Sequence, residues 1–297
     1  MDICDVALSY ILSLSPIECV SLHKYYGNSC AILSQKPSEI YRMLNKSSKA
    51  QSYESDKLIK QAESAIRFMN SMGIKQLRYD MKGFPCGLKE IPDMPFCIYL
   101  RGDIGFDYDY SISIVGTRKP DHFGINETVR FTAGLAKVGY TIVSGLAKGI
   151  DTVAHDTALK SNTKTIAVLG SGIDTIYPPG NKRLAVDIIE SNGALISEYP
   201  PGVPPNRWHF PKRNRIIAAL TKGVLMIQSP AKSGSIITGL LAVDYNRELF
   251  VANGNDSAVF EGNKRMIDCG GQAVNAPEEI EEMINNSRKT LFDAVWA

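Results

Sequence analysis

Residues 111–118 read Ser-Ile-Ser-Ile-Val-Gly-Thr-Arg, a short apolar strand pattern that ends in a glycine turn. Similar strand-and-turn patterns follow at 141–145, 165–172, 193–198, 224–229 and 249–254. Helical patterns lie between them, for example at 129–138 and 237–245. Strands that alternate with helices predict a parallel sheet covered on both faces, which is an α/β fold.

The flanking segments differ from this core. Residues 1–75 carry apolar stripes at helical spacing, which predicts a small all-helical N-terminal domain. Residues 76–110 are rich in proline, glycine and aromatics and are expected to form a connector that ends in a short strand, within a main domain spanning 76–285. Residues 286–297 are expected to form a tail without a winged-helix domain. Its apolar residues predict a docking helix; they are Leu291, Phe292, Val295 and Trp296.

Composition constrains the partners and the compartment. The chain has 297 residues and a net charge of +2, so a polyanion partner would require a local basic patch. The six cysteines form no CxxC pair, so neither a disulfide framework nor a zinc site is expected, and reduced thiols in a cytoplasmic protein are predicted. No signal peptide pattern and no apolar run of membrane-spanning length occurs, so no membrane partner is expected.

The predicted strands end in turns rich in glycine, serine and threonine. Ligands of open parallel sheets bind at the carboxyl ends of the strands. Glycine lets the backbone approach a ligand closely, and helix N-termini offer free N–H groups that suit phosphate. Each glycine alone is more typical of a tight turn without a ligand, but Arg118 and Lys148 add positive charge to the same edge. The combination indicates an anion site.

A run of cations and aromatics lies at 207–217, reading Arg-Trp-His-Phe-Pro-Lys-Arg-Asn-Arg-Ile-Ile. Its basic side chains suit phosphates and its rings suit unpaired bases, a combination typical of single-stranded nucleic-acid binding. Within the run no acidic residue neutralises the charge. A solvated loop followed by an ordinary helix is the alternative interpretation.

Catalytic patterns are sparse. Asp151 and His155 lie four residues apart and could form an oriented general base, or Asp151 could cap a helix while His155 packs locally. Tyr177 precedes Pro178-Pro179, where its ring could stack on a base or belong to a rigid turn. The nucleotide motifs GxGxxG and GxxxxGK[ST] are absent. A small-nucleotide-binding or nucleotide-cleaving enzyme on a related fold remains the alternative function.

Several blocks in order resemble the DNA-processing protein A (DprA/Smf) family over about residues 79–275. They include Ile-Val-Gly-Thr-Arg at 114–118, Ser-Gly-Leu-Ala-Lys-Gly-Ile-Asp at 144–151 and Phe-Pro-Lys-Arg-Asn-Arg at 210–215. The resemblance implies an extended Rossmann-like, doubly wound, mostly parallel sheet that binds single-stranded DNA without catalysis, cofactor or metal. It implies loading of the RecA recombinase in natural transformation or recombination, displacement of single-strand-binding protein, and a homodimer. The N-terminal region stands where members carry a sterile-alpha-motif-like or helix-hairpin-helix-like domain.

The resemblance also predicts the contacts. Arg118 is expected to meet DNA phosphate, Lys148 and the cations of 212–215 to line the same groove, Phe210 to stack on a base, and the turns to donate hydrogen bonds to phosphates. The predicted DNA-binding residues are Gly116, Thr117, Arg118, Lys119, Ser144, Gly145, Lys148, Gly149, Gly170, Ser171, Gly172, Arg207, Phe210, Lys212, Arg213, Asn214, Arg215, Ser233, Gly234 and Ser235.

Overall fold

The computed structural model describes residues 1–46, 53–105, 108–254 and 257–296, with side chains of the last helix described as far as residue 286. Helices make up most of the described residues up to residue 71, as the apolar stripes predict. They are α1 (Ile3–Ser9), α2 (Pro16–Tyr26), α3 (Ser29–Leu33), α4 (Pro37–Met43) and α5 (Ser55–Ser71). Local sequence fixes their starts, since Asp2 caps α1 and Ser15 forms a capping box with Glu18 at the start of α2.

A disulfide joins Cys4 of α1 to Cys30 of α3. This pair corrects the expectation that all the cysteines are reduced thiols. The two cysteines are 26 residues apart and lack a CxxC spacing, so only the packing of α1 against α3 brings their sulfurs together.

The nine-stranded sheet confirms the predicted α/β fold with a mostly parallel sheet. Its strands are β1 (Ile74–Arg78), β2 (Cys97–Gly102), β3 (Ser111–Val115), β4 (Thr141–Ser144), β5 (Thr165–Leu169), β6 (Ala194–Ser197), β7 (Gly223–Met226), β8 (Glu248–Ala252) and β9 (Gln272–Val274). Their spatial order is β1-β2-β6-β5-β4-β3-β7-β8-β9. β2 pairs antiparallel with both β1 and β6, and the other six pairings are parallel.

The helices of the sheet region cover both of its faces. They are α6 (Cys86–Lys89), α7 (His122–Lys137), α8 (Ile150–Lys160), α9 (Lys182–Glu190), α10 (His209–Ala219), α11 (Gly234–Asp244), α12 (Glu261–Asp268) and α13 (Pro277–Trp296). Successive side chains of a strand point to opposite faces of the sheet, so they belong to different hydrophobic cores. Ile142 packs on the face covered by α7, α8 and α13, whereas its neighbour Val143 packs on the face covered by α10, α11 and α12. The fold is therefore doubly wound.

The N-terminal helices share a core with one end of the sheet. Leu8 and Ile40 belong to the same buried cluster as Leu169 and Leu195 of β5 and β6. The Arg78 guanidinium of β1 pairs with the buried Asp5 carboxylate of α1 at 2.7 Å. These contacts seat the helices beside the loop that follows β6.

Three segments depart from or extend beyond the expected boundaries. β1 begins at Ile74, within a region expected to be helix and connector, and β9 adds a strand that the sequence pattern does not mark. α13 continues through residue 286, where a separate tail was expected. The side chains of Leu291, Phe292, Val295 and Trp296 lie outside the described residues. In the described ranges no helix has both the length and the apolar character needed to cross a membrane.

Candidate nucleic-acid interface

The order in which the strands are added to the sheet reverses at β3, which has β4 on one side and β7 on the other. Loops after the parallel strands therefore converge outside this point, where open sheets bind ligands. We call this surface the carboxyl edge and define it by the segments 116–119, 144–149, 170–172, 177–181, 207–212 and 233–235.

The turns after β3 and β4 touch each other at the centre of the carboxyl edge. Gly149 has a φ of +81°, and a Cβ built on it would lie 2.4 Å from the carbonyl oxygen of Thr117. The Ile150 amide donates a hydrogen bond to the same oxygen at 3.2 Å. Glycine is thus required at 149 by both backbone conformation and space. The contact places the exposed Arg118 and Lys148 on adjoining loops.

Phe210 lies beside this pair, at the start of α10. Its ring packs against Gly170, where a Cβ would come within 2.7 Å of the ring. The Arg118 guanidinium carbon lies 5.7 Å from the Phe210 ring centroid, and the exposed Tyr177 ring lies 5.3 Å from it on centroids. The structure therefore assembles a cation and two rings from β3, β5 and α10, which we call the Arg118–Phe210–Tyr177 cluster.

Arg213 does not face a surface groove. It is 4% exposed, and its Nη1 donates to the carbonyl oxygens of Gly145, at 2.7 Å, and of Val168. Burial lowers its pKa to about 10, and the carboxylate of Asp151 opposes that shift. The guanidinium stabilises the turn after β4 from below, so the expectation that Arg213 lines the groove is corrected.

Arg215 is also buried, at 3% exposure. Its guanidinium forms ion pairs with Glu198, which follows β6, and with Asp93, at 3.3 Å. The charge of the 207–217 run is therefore partly neutralised by acids that are far away in sequence. Arg213 and Arg215 are buried by partners from other elements, whereas Lys212 and Asn214 stay partly exposed.

The serine hydroxyls of the predicted site are largely used internally. Ser144 Oγ donates to the Ile114 carbonyl oxygen at 2.7 Å, and Ser171 Oγ donates to the Thr175 carbonyl oxygen at 2.6 Å. Ser235 is buried and shares hydrogen bonds with Ser229 and Ser233. These hydroxyls hold the turns in shape, which corrects the expectation that they all offer donors to phosphate.

The other predicted residues fall into two groups. Gly145, Gly170 and Gly172 are buried and allow close packing beneath the edge, whereas Gly116, Thr117, Gly149, Ser233 and Gly234 are at least partly accessible. Asn214 joins α10 to α11 through a hydrogen bond to the Gly234 carbonyl oxygen at 3.3 Å. Lys119 and Arg207 are exposed, and Arg207 lies over the Trp208 ring.

Asp151 and His155 form internal hydrogen bonds that stabilise the turn after β4 and the start of β5. The Asp151 carboxylate accepts hydrogen bonds from the amides of Gly145 and Ala147, at 3.1 and 3.3 Å. His155 is buried, and its Nδ1 lies 2.7 Å from the Thr165 hydroxyl. Burial lowers the pKa of His155 to about 3, so the imidazole is neutral near pH 7. The geometry favours the local-packing interpretation over a general base.

Several residues that shape the carboxyl edge were not predicted from the sequence. Asn181 braces the turn after β4, because its Nδ2 donates to the Leu146 carbonyl oxygen at 2.9 Å. Tyr199 and His209 stack at 4.1 Å beside Lys212. An asparagine next to a Pro-Pro-Gly turn is ordinary in sequence, and no pattern marks its partner.

The exposed cations give the edge its electrostatic character. Within the described residues no acidic side chain lies within 4 Å of the amino or guanidinium nitrogens of Arg118, Lys119, Lys148 or Arg207, whereas Lys212 lies 3.9 Å from Glu198. α8 and α11 begin at this edge and direct their free N–H groups and positive dipole ends toward it. The arrangement can bind an extended polyanion.

Comparison with known proteins agrees with this geometry. The family model described as DNA recombination-mediator protein A matches residues 75–285. Protein Smf of Escherichia coli is 37% identical over 236 residues, which cover 79% of this chain and 63% of that relative. The chain thus spans less than two thirds of that relative's length.

Two solved structures are similar over most of the chain. The X-ray structure of DNA processing protein A from Streptococcus pneumoniae is 26% identical, with a TM-score of 0.74, and the match covers 95% of this chain and 98% of that one. DNA processing protein A from Helicobacter pylori is 30% identical, with a TM-score of 0.63, and the match covers 73% of this chain and 96% of that one. The latter structure was described for its single-stranded DNA binding mode.

Proposed function

Because the chain belongs to the DNA recombination-mediator protein A family, we propose that it binds single-stranded DNA along the carboxyl edge. The Arg118–Phe210–Tyr177 cluster is the observation that carries the proposal. It joins a cation to two accessible rings beside helix N-termini, and single strands are bound by such combinations of charge and stacking. The single-stranded DNA binding described for the Helicobacter pylori relative supports it.

The proposal assigns different roles to the exposed and the buried residues. Arg118, Lys119, Lys148 and Arg207 bind phosphates, while the amides at the start of α8 and α11 donate to them. Phe210 and Tyr177 stack on bases. Arg213 and Asp151 act beneath the surface by fixing the turn that carries Lys148. Phosphate and stacking contacts carry little sequence information, so these contacts are expected to hold any sequence alike.

Fluorescence anisotropy of a labelled oligo-dT across a salt series tests the proposal, with an unlabelled duplex of equal length as competitor. We expect single-strand preference, because duplex bases are not free to stack on Phe210. We also expect affinity to fall by about 0.7 log units per log unit of salt for each neutralised phosphate. Equal competition by duplex and single strand, or no binding at low salt, would overturn it.

Loading of the RecA recombinase is the biological role that we propose for this binding, in natural transformation or recombination. It needs no covalent chemistry, and a homodimer would present two such edges. The test is the rate of RecA ATP hydrolysis on single-stranded DNA coated with single-strand-binding protein. Faster onset with this protein, lost in Arg118→Ala, is the expected result, and an unchanged lag would contradict the role while leaving DNA binding intact.

A further inference from the structure

A cavity of about 280 Å³ opens between the N-terminal helices and the segment that joins β6 to α10. The members of the Arg118–Phe210–Tyr177 cluster are not among the residues that line it. Leu8 and Leu12 line it from the N-terminal helices, and Glu198, Tyr199, Trp208 and Lys212 line it from the second side, the segment from the end of β6 into α10. The cavity thus adjoins the carboxyl edge, with which it shares Trp208, His209 and Lys212.

The second side of this cavity is aromatic. Tyr199 and His209 form a parallel stack with ring centroids 4.1 Å apart and planes inclined by 22°. The Trp208 side chain is 67% exposed at the same side. The exposed Trp208 ring beside an apolar wall favours a flat heteroaromatic ligand, and an unpaired base has two flat faces.

Glu198 supplies a polar group that the fold does not fully use. Its side chain is 9% exposed, and one carboxylate oxygen, Oε1, accepts from Arg215. The other, Oε2, is buried and accepts no hydrogen bond within the described residues, although the Lys212 ammonium lies 3.9 Å away. Buried acceptors are normally satisfied, so this oxygen points to a ligand that donates N–H groups.

We propose that this cavity binds one unpaired guanine base of the strand held at the carboxyl edge, an inference that rests on the proposed function. The Watson–Crick edge of guanine has two adjacent N–H donors next to a carbonyl oxygen. Glu198 would accept from the donors, and Lys212 would donate to the oxygen. Thymine has one N–H between two carbonyl oxygens, so one of them would face the carboxylate.

The position and the size of the cavity agree with this occupant. His209 and Phe210 are consecutive residues at the start of α10, and their rings contact Tyr199 and Tyr177 respectively. A strand stacked on Phe210 therefore passes the mouth of the cavity. Small-molecule sites span roughly 300–1,000 Å³, so this volume suits a single base rather than a longer segment.

The first test compares oligo-dT with the same oligomer carrying one central dG, at one salt concentration. Wild-type protein is expected to bind the dG oligomer about tenfold more tightly, the scale of one well-placed bidentate base contact. Leu12→Trp, which narrows the mouth, is expected to lose that gain and keep oligo-dT binding. Ile17→Trp is the matched control, because Ile17 is similarly exposed on α2 but does not line the cavity.

The second test uses free dGMP and dTMP, with quenching of Trp208 fluorescence as the signal. Quenching by dGMP at lower concentration than by dTMP is expected, and it should be abolished in Leu12→Phe, which narrows the mouth without adding an indole. Tight oligo-dT binding without any dG gain would overturn the guanine site and leave the proposed function standing. Preferential dGMP binding without oligo-dT binding would support the cavity and reject the proposed function.

Discussion

Phe210 and Gly170 are in direct contact, and the ring of the first occupies the space that any side chain at the second would need. A Cβ at position 170 would lie 2.7 Å from Cδ1 of Phe210 and 3.0 Å from Cε1. The glycine that follows β5 thus sets the height of the ring above the sheet. It also keeps the ring within reach of Arg118 and Tyr177.

Gly170→Ala is expected to displace the Phe210 ring and weaken oligo-dT binding by up to about 1–3 kcal/mol, the range for one stacked base. The salt slope should stay unchanged, because no phosphate contact is removed. Anisotropy titrations at several salt concentrations measure both quantities. Gly180→Ala is the matched control, since its Cβ would meet no atom within 4 Å. Equal affinities of the two variants would contradict the stacking role of Phe210.

Arg118→Ala is expected to lower the salt slope by about 0.7, the contribution of one phosphate contact on a single strand. Because Arg118 is exposed, its removal should leave the urea midpoint of unfolding unchanged. Lys160→Ala is the control, as Lys160 is exposed at the far end of α8, away from the carboxyl edge. A wild-type slope in Arg118→Ala would exclude a phosphate contact there.

The alternation of strand and helix patterns in residues 111–254 was enough to predict the parallel sheet, because each buried strand is short, apolar and ends in a turn. The meeting of the predicted turns at one edge of the sheet also followed, since carboxyl ends of parallel strands share one edge. The roles of Arg213 and Arg215 did not follow. Their partners, Val168 and Glu198, come from β5 and the loop after β6, and sequence spacing does not show which face of α10 those elements cover.

The same limit applies to the hydroxyls and the cysteines. Ser144 looks like a phosphate donor in sequence, and only the approach of β3 reveals that its hydroxyl is taken by Ile114. Cys4 and Cys30 pair because α1 packs on α3. Long-range packing decides these cases, whereas local pattern decides strands, helices and turns.

Arg213→Ala is expected to lower the free energy of unfolding by about 1–3 kcal/mol, because the buried carbonyl oxygens of Gly145 and Val168 lose their donor. Urea denaturation followed by circular dichroism measures the loss. Protein that remains folded should keep the wild-type salt slope for oligo-dT. Unchanged stability together with a slope lower by about 0.7 would instead place Arg213 on a phosphate.

The free energy of unfolding should decrease as pH falls, because His155 is protonated more readily in the unfolded chain. Its folded pKa of about 3 lies below the ordinary value of 6.5, so between these pH values the unfolded chain binds a proton at His155 and the folded chain does not. The stabilisation present above pH 6.5 is therefore lost as pH falls toward 3, by up to about 1.4 kcal/mol per pH unit. Burial raises the pKa of Asp151, which acts in the opposite direction as pH falls.

Comparison of variants isolates the histidine. His155→Gln can keep the hydrogen bond to Thr165 while removing the titration, so its stability should depend less on pH between 6.5 and 5 than that of wild type. His122→Gln, at an exposed histidine, is the control and should follow wild type. Identical pH profiles for wild type and His155→Gln would rule out this source of acid sensitivity.

Photocrosslinking locates the strand most directly. A single-stranded oligomer carrying 4-thiothymidine is irradiated on the protein, and the modified peptides are identified by mass spectrometry. We predict adducts on the peptides that contain Tyr177 and Phe210, reduced in Arg118→Ala. Adducts confined to peptides of the opposite edge, such as the end of α8 at Lys160, would contradict the carboxyl edge as the DNA-binding surface.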